Sequence, residues 1–138
     1  MTRGTELTFG IEEEFFVSHR RSRNVATKLS GRLIKDAKQA LGQDIVQHEL
    51  LQCQLELVSP VLETMTDAIR HVEGSRRIVG AIAAKHGLRL VAAGTHPLAA
   101  WREQEITEHP RYDDVVKGFQ IVGRRNLFCG LHIHARVP

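Results

Sequence analysis

The chain has 138 residues, 42% of them hydrophobic and 25% charged, with a formal net charge of +3; this is enough apolar material for one buried core and excludes a disordered tail. Its basic residues are scattered, with short concentrations at residues 19–23 (HRRSR), 76–77 and 124–125. Only five Phe, one Tyr and one Trp accompany them, so neither the basic stripe nor the stacking aromatics of a nucleic-acid binder are present. Two cysteines, Cys53 and Cys129, without CxxC or finger spacing argue against a disulfide scaffold and a structural zinc site.

The N-terminal stretch MTRGTELTFG has no apolar core of a leader, and the most apolar later stretch, IVGAIAAKHGLRLVAAG, is broken by Lys85, His86 and Arg89. A cytoplasmic protein without a membrane span is the expectation.

Residues 7–17 (LTFGIEEEFFV) predict a strand, with Phe9, Ile11, Phe15 and Val17 on one parity. HRRSRN then reads as a turn or loop. Apolar positions Val25, Leu29, Leu33, Ile34, Ala37 and Leu41 recur at three and four and predict a helix over 25–41, stopped by Gly42. HELLQCQLELVSP predicts a second strand, closed by Ser59-Pro60, with Gln52, Gln54 and Glu56 on its polar face. A helix over 64–86 follows, capped by Thr64 or Thr66 and ended by Gly87. Residues 88–93 predict a third strand, GTHPLAAW a loop, and 102–114 more loop, with a short helix at 113–119. The last strand, 126–137, alternates Cys129, Leu131, Ile133 and Ala135 with Gly130, His132, His134 and Arg136. Residues 1–138 therefore predict a single α+β domain, an antiparallel sheet with helices packed on one face.

Side chains alternate along a strand, so Glu12 and Glu14 share a face while Glu13 falls on the apolar side, where a strand edge or a partner cation would accommodate it. If the strands are neighbours, Glu12, Glu14, Gln52, Gln54, Glu56, His132, His134 and Arg136 line one concave polar patch. Closely packed carboxylates raise one another's pKa unless divalent cations hold them ionised, and an oxygen-rich set with imidazole suits Mg²⁺ or Mn²⁺ better than Zn²⁺. Taken singly, an ExE on a strand is more often a solvated face, and an HxH is more often exposed or satisfied histidines.

GIEEEFF, HELLQCQLELVSPV, AGTHPLAAW and CGLHIH, in this order along the whole chain, resemble the type 2 glutamate-cysteine ligases, ATP-dependent carboxylate-amine ligases of the glutamine synthetase-like fold. The resemblance implies an enzyme that phosphorylates a substrate carboxylate with ATP and lets an amine displace the phosphate, with Mg²⁺ or Mn²⁺ as cofactor. It places metal-binding carboxylates at Glu12, Glu14, Glu49 and Glu56, with Glu49 needing a bend to join the others. A nucleotide-phosphate or metal contact falls at His132, with His134 and Arg136 beside it. Thr95 and His96 become substrate contacts, and Arg111 and Tyr112 weaker ones. The partners implied are small molecules, a glutamate-like carboxylate and an amino-acid amine, with no nucleic acid and no membrane.

The resemblance also implies that family members continue beyond CGLHIH with further strands carrying another metal-binding Glu and the basic residues that hold ATP. The expectation is thus an incomplete site, the N-terminal portion of a catalytic domain, served by a homo-oligomer or a complementing chain. Two alternatives remain open: a non-catalytic remnant or binding partner of the same fold, and a metal-dependent hydrolase using His132, His134 and Glu14.

Overall fold

The computed structural model describes residues 7–110, 112 and 127–137. Its elements run β1 (Phe9–His19), α1 (Gly31–Leu41), β2 (Val46–His48), β3 (Gln54–Val58), α2 (Met65–Lys85), β4 (Leu88–Val91), a 3₁₀ turn (Trp101–Glu103) and β5 (Leu131–Ala135). All five strands form one antiparallel sheet in the order β2-β3-β1-β4, with β5 also paired to β1. The 11-residue β1 is the spine. On one edge its middle pairs with β3; on the other, β5 takes its N-terminal half and β4 its C-terminal end. The α+β class and the helices on one face of an antiparallel sheet are as the sequence predicts.

The core explains that arrangement. Phe15 and Val17 of β1, Leu55 and Leu57 of β3 and Val46 of β2 form an apolar face that Leu33, Ile34 and Ala37 of α1 and Val79, Ile82 and Ala83 of α2 cover. Both helices thus lie on the face opposite Glu12 and Glu14. A second cluster, Phe16, Leu50, Leu51, Cys53 and Tyr112, lies under loops on the other face. Both thiols are free, and burial pushes each up to about 12, which fits inert packing residues.

Several boundaries differ from the sequence reading for identifiable reasons. β1 runs on to His19, and the chain reverses tightly: the His19 N–H donates to Asn24 O and the Arg23 N–H to His19 O, with Arg23 at φ 64°. Residues 25–26 then lie along β1, Ala26 N–H donating to Val17 O, so the four-residue step from Val25 to Leu29 belongs to an extended return segment. The helix starts only at Gly31, where the Ser30 Oγ accepts from the Leu33 N–H at 3.2 Å. Ser30→Ala is expected to cost about 1 kcal/mol, read from the denaturant midpoint.

The predicted second strand is a hairpin. β2 and β3 pair through Val46↔Leu57, Gln47↔Glu56 and His48↔Leu55, and residues 49–53 turn between them. No Gly, Pro or Asn marks this turn, because it is buried under residues 105–107 and its apolar residues fill the second cluster. Leu51 bridges Ile106, and the Thr107 Oγ1 donates to Glu49 O. The short helix predicted at 113–119, and Arg111, lie outside the described residues.

Candidate functional site

The register of the sheet sets the site. On β1, Gly10, Glu12, Glu14, Phe16 and Ser18 share the face away from the helices. Glu14 stands directly opposite Glu56 of β3, Glu12 opposite His132 of β5, and Gly10 opposite His134. The Glu12 Oε2 lies 3.0 Å from His134 Nε2 and 3.4 Å from His132 Nδ1. One ligand atom from each of these residues falls within 4.8 Å of the others, the one such group of three His, Cys, Asp or Glu side chains among the described residues. Desolvation works to raise the Glu12 pKa, but hydrogen bonds and charge from His134 and then His132 outweigh it and hold the carboxyl below its ordinary value.

Glu14 sits one step along the same face. Its N–H donates to Gly130 O at 3.0 Å, and its Oε2 accepts from the Gly130 N–H at 2.8 Å, which ties the lead-in of β5 to β1. Glu56 faces a cleft of about 710 Å³ whose walls include Glu12, Gln47, His48, Lys38 and His109. Glu49 lies in the turn between β2 and β3, its Oε1 accepting from the Leu50 N–H, so the chain does bend there. The Arg136 N–H donates to Thr8 O, and its side chain is exposed, as is Thr95.

Glu13 points the other way. It is buried at 5% exposure, and its carboxylate accepts from Arg76 of α2: Nε lies 3.1 Å from both oxygens, and Nη2 also donates to Oε1. Arg76 also lies over the Phe15 ring. Of the two ways to accommodate Glu13, a strand edge or a cation, the structure uses the cation, supplied by a helix 63 residues away.

The amides of β3 and its lead-in serve the loops. The Gln52 Nε2 donates to Ile106 O, and the buried Gln54 donates to Phe128 O and the Cys129 Sγ. Tyr112 is buried and donates its hydroxyl to His48 O. His96 uses both ring nitrogens. Its Nδ1 accepts from the Leu98 N–H at 3.2 Å, which places the proton on Nε2, 3.0 Å from the buried Ser18 Oγ. The ring also meets Phe16 edge-on. Sequence alone misses Ser18 as this partner; its place on the Glu12 parity, in an otherwise apolar end of β1, was the available signal.

His96, His48 and His71 all have pKa values lowered, chiefly by desolvation. A histidine whose folded pKa is depressed adds stability that is complete above its unfolded pKa and is lost as pH falls through the folded one. The melting temperature is accordingly expected to fall as pH drops below about 6.5, and Glu12 extends the loss below pH 4.5, its ordinary value. Melts at successive pH values check this, with His96→Gln expected to flatten the slope.

Fold and site together define an α+β sheet that gathers carboxylates and imidazoles on the face away from its helices. The sequence model described as "Glutamate-cysteine ligase family 2 (GCS2)" matches residues 8–138. A Bradyrhizobium diazoefficiens protein is 37% identical over 99% of this chain and 32% of its own length; one from Ectopseudomonas mendocina is 38% identical over 96% and 35%. Each bears the name "Putative glutamate--cysteine ligase 2". The chain belongs to glutamate-cysteine ligase family 2, and it spans about a third of the length of these relatives.

Solved structures agree on the fold. A bifunctional glutathione synthetase from Pasteurella multocida aligns with TM-score 0.67 at 15% identity, over 96% of this chain and 17% of that one. A glutamate–cysteine ligase from Francisella tularensis in complex with AMP aligns with TM-score 0.65 at 14% identity, over 93% and 26%. Among the described residues no helix is long and apolar enough to cross a membrane.

Proposed function

We propose that the chain carries part of the active site of an ATP-dependent carboxylate-amine ligase of the glutamate–cysteine ligase type. The observation that carries this reading is the Glu12, His132 and His134 cluster beside the facing pair Glu14 and Glu56, in a chain that belongs to this family. In the reaction a substrate carboxylate oxygen attacks the γ-phosphorus of ATP and ADP leaves; the amine nitrogen then attacks the acyl carbon, loses its proton, and phosphate departs. The AMP complex of the Francisella tularensis ligase supports nucleotide use.

The donor set decides which cation fits. One carboxylate and two imidazoles suit Mn²⁺, while Glu14 and Glu56 offer the oxygens that Mg²⁺ prefers. A divalent cation held there would neutralise charge on the nucleotide phosphates. Glu12 would hold it, His132 would meet metal or phosphate, and His134 and Arg136 would stand beside the phosphates. The loop with Thr95 and His96 would border the substrates, kept in place by the Ser18 bond. Leu131 and Ile133, on the other face of β5, are 60% and 66% exposed. Apolar area of that kind favours contact with another subunit or with polypeptide equivalent to the rest of the relatives' length.

One observation favours a second reading. Two imidazoles and one carboxylate are also a zinc donor set, which a hydrolase would use, although Glu12 and not Glu14 joins the histidines. Titration with Mn²⁺, Mg²⁺ and Zn²⁺, with and without a non-hydrolysable ATP analogue, separates the two. The ligase reading requires Mn²⁺ or Mg²⁺ binding that nucleotide strengthens. Tight Zn²⁺ binding indifferent to nucleotide would replace it with the hydrolase, and no binding by the folded chain would leave a non-catalytic member of the family.

A further inference from the structure

Gly130 immediately precedes β5, and the side of it where a side chain would stand lies against the ring of His132. Its glycine is not explained by backbone conformation. Among the described residues the glycines at positive φ are Gly42 and Gly87. Space explains it instead. A Cβ built on Gly130 would fall 2.8 Å from His132 Nε2, 3.4 Å from Cδ2 and 3.5 Å from Cε1, so the imidazole lies back along the chain over the position a side chain would fill.

The backbone there is tied on both sides. The Glu14 N–H and Oε2 hold Gly130 O and N–H, and Gln54 holds Phe128 O and the Cys129 Sγ just upstream. The ring of the exposed His132 is the part free to give way, and turning it carries Nδ1 out of its 3.4 Å approach to Glu12.

We propose that Gly130 is a positioning residue for the cation cluster, its missing side chain letting His132 fold back so that its imidazole stands with His134 against the Glu12 carboxylate. The proposal rests on the reading that this cluster takes a divalent cation. Glu14 then has a second task, to hold Gly130 fixed.

The test compares wild type, Gly130→Ala, His132→Ala and the double variant for Mn²⁺ affinity by calorimetry, with the His132 ring resonances followed by NMR in metal-free protein. Gly130→Ala is expected to weaken Mn²⁺ binding about tenfold, as loss of a residue that orients a ligand does. It should also move the His132 ring signals and leave the melting temperature unchanged. In the His132→Ala background the same substitution should cost nothing further. Unaltered affinity and ring signals in Gly130→Ala would overturn the proposal, as would an equal loss in both backgrounds. A variant that fails to fold overturns it too, since the clash is located in a rotatable ring. Should the wild type bind no Mn²⁺, the cation reading fails, and the metal-free ring signals still decide the role of Gly130.

Discussion

Glu12→Ala is expected to lower Mn²⁺ affinity by more than about 100-fold, beyond what loss of an orienting partner costs. A single oxygen of Glu12 faces both imidazoles, and the two histidines share no other anion in the cluster. Without it two imidazoles remain, with no negative charge of the cluster to offset the cation. Glu13→Gln, one residue along, should leave the affinity unchanged, because that carboxylate lies on the helix side of the sheet. Calorimetry on the two variants checks the face assignment directly: equal losses would refute it.

Arg76→Ala should be the most damaging surface substitution, costing about 3 kcal/mol and about 10 °C in melting temperature. The Arg76 side chain is 48% exposed, whereas the Glu13 side chain is 7% exposed, so the two ends of this pair are not equivalent. Removing the arginine strands a carboxylate among Phe15 and its neighbours. Removing the carboxylate leaves a guanidinium that can turn to water. Glu13→Leu should therefore cost less than Arg76→Ala, and adding Arg76→Leu to Glu13→Leu should change little more, since no buried charge is left unpaired. Denaturant midpoints on the three variants give the ordering.

How far the sequence reaches is visible in these residues. The alternation in GIEEEFFV gives the faces of all three glutamates, because β1 is paired along its length and packed on both sides, so its parity cannot slip. It leaves Glu13 on the apolar side in need of a strand edge or a cation; that Arg76 supplies it is a matter of helix packing between residues 63 apart. The HIH alternation places His132 and His134 on one face; only the register of β5 on β1 brings them to Glu12 rather than to Glu14.

The hairpin of β2 and β3 escapes the sequence because its turn is apolar and covered by a distant loop. Gln52 and Gln54 read as members of the polar face with Glu56 for the same reason: the segments they bind, at Ile106 and Phe128, are 54 and 74 residues away. The return segment at 25–29 mimics a helix, since a spacing of four arises by chance in any short apolar stretch.

Among the described strands β5 pairs with β1 alone, and its residues are exposed. Closing it onto β1 joins residues about 120 apart, while β1, β3, α2 and β4 are linked by far shorter loops. β5 is therefore expected to dock last in folding and to open first in the native protein, with little loss to the core beneath the helices, which amide exchange would read. An ion shared by Glu12, His132 and His134 spans that seam. It would work as a clasp, slowing amide exchange in β5 and leaving β3 and β4 as they were, and its grip would grow with the ratio of free cation to Kd.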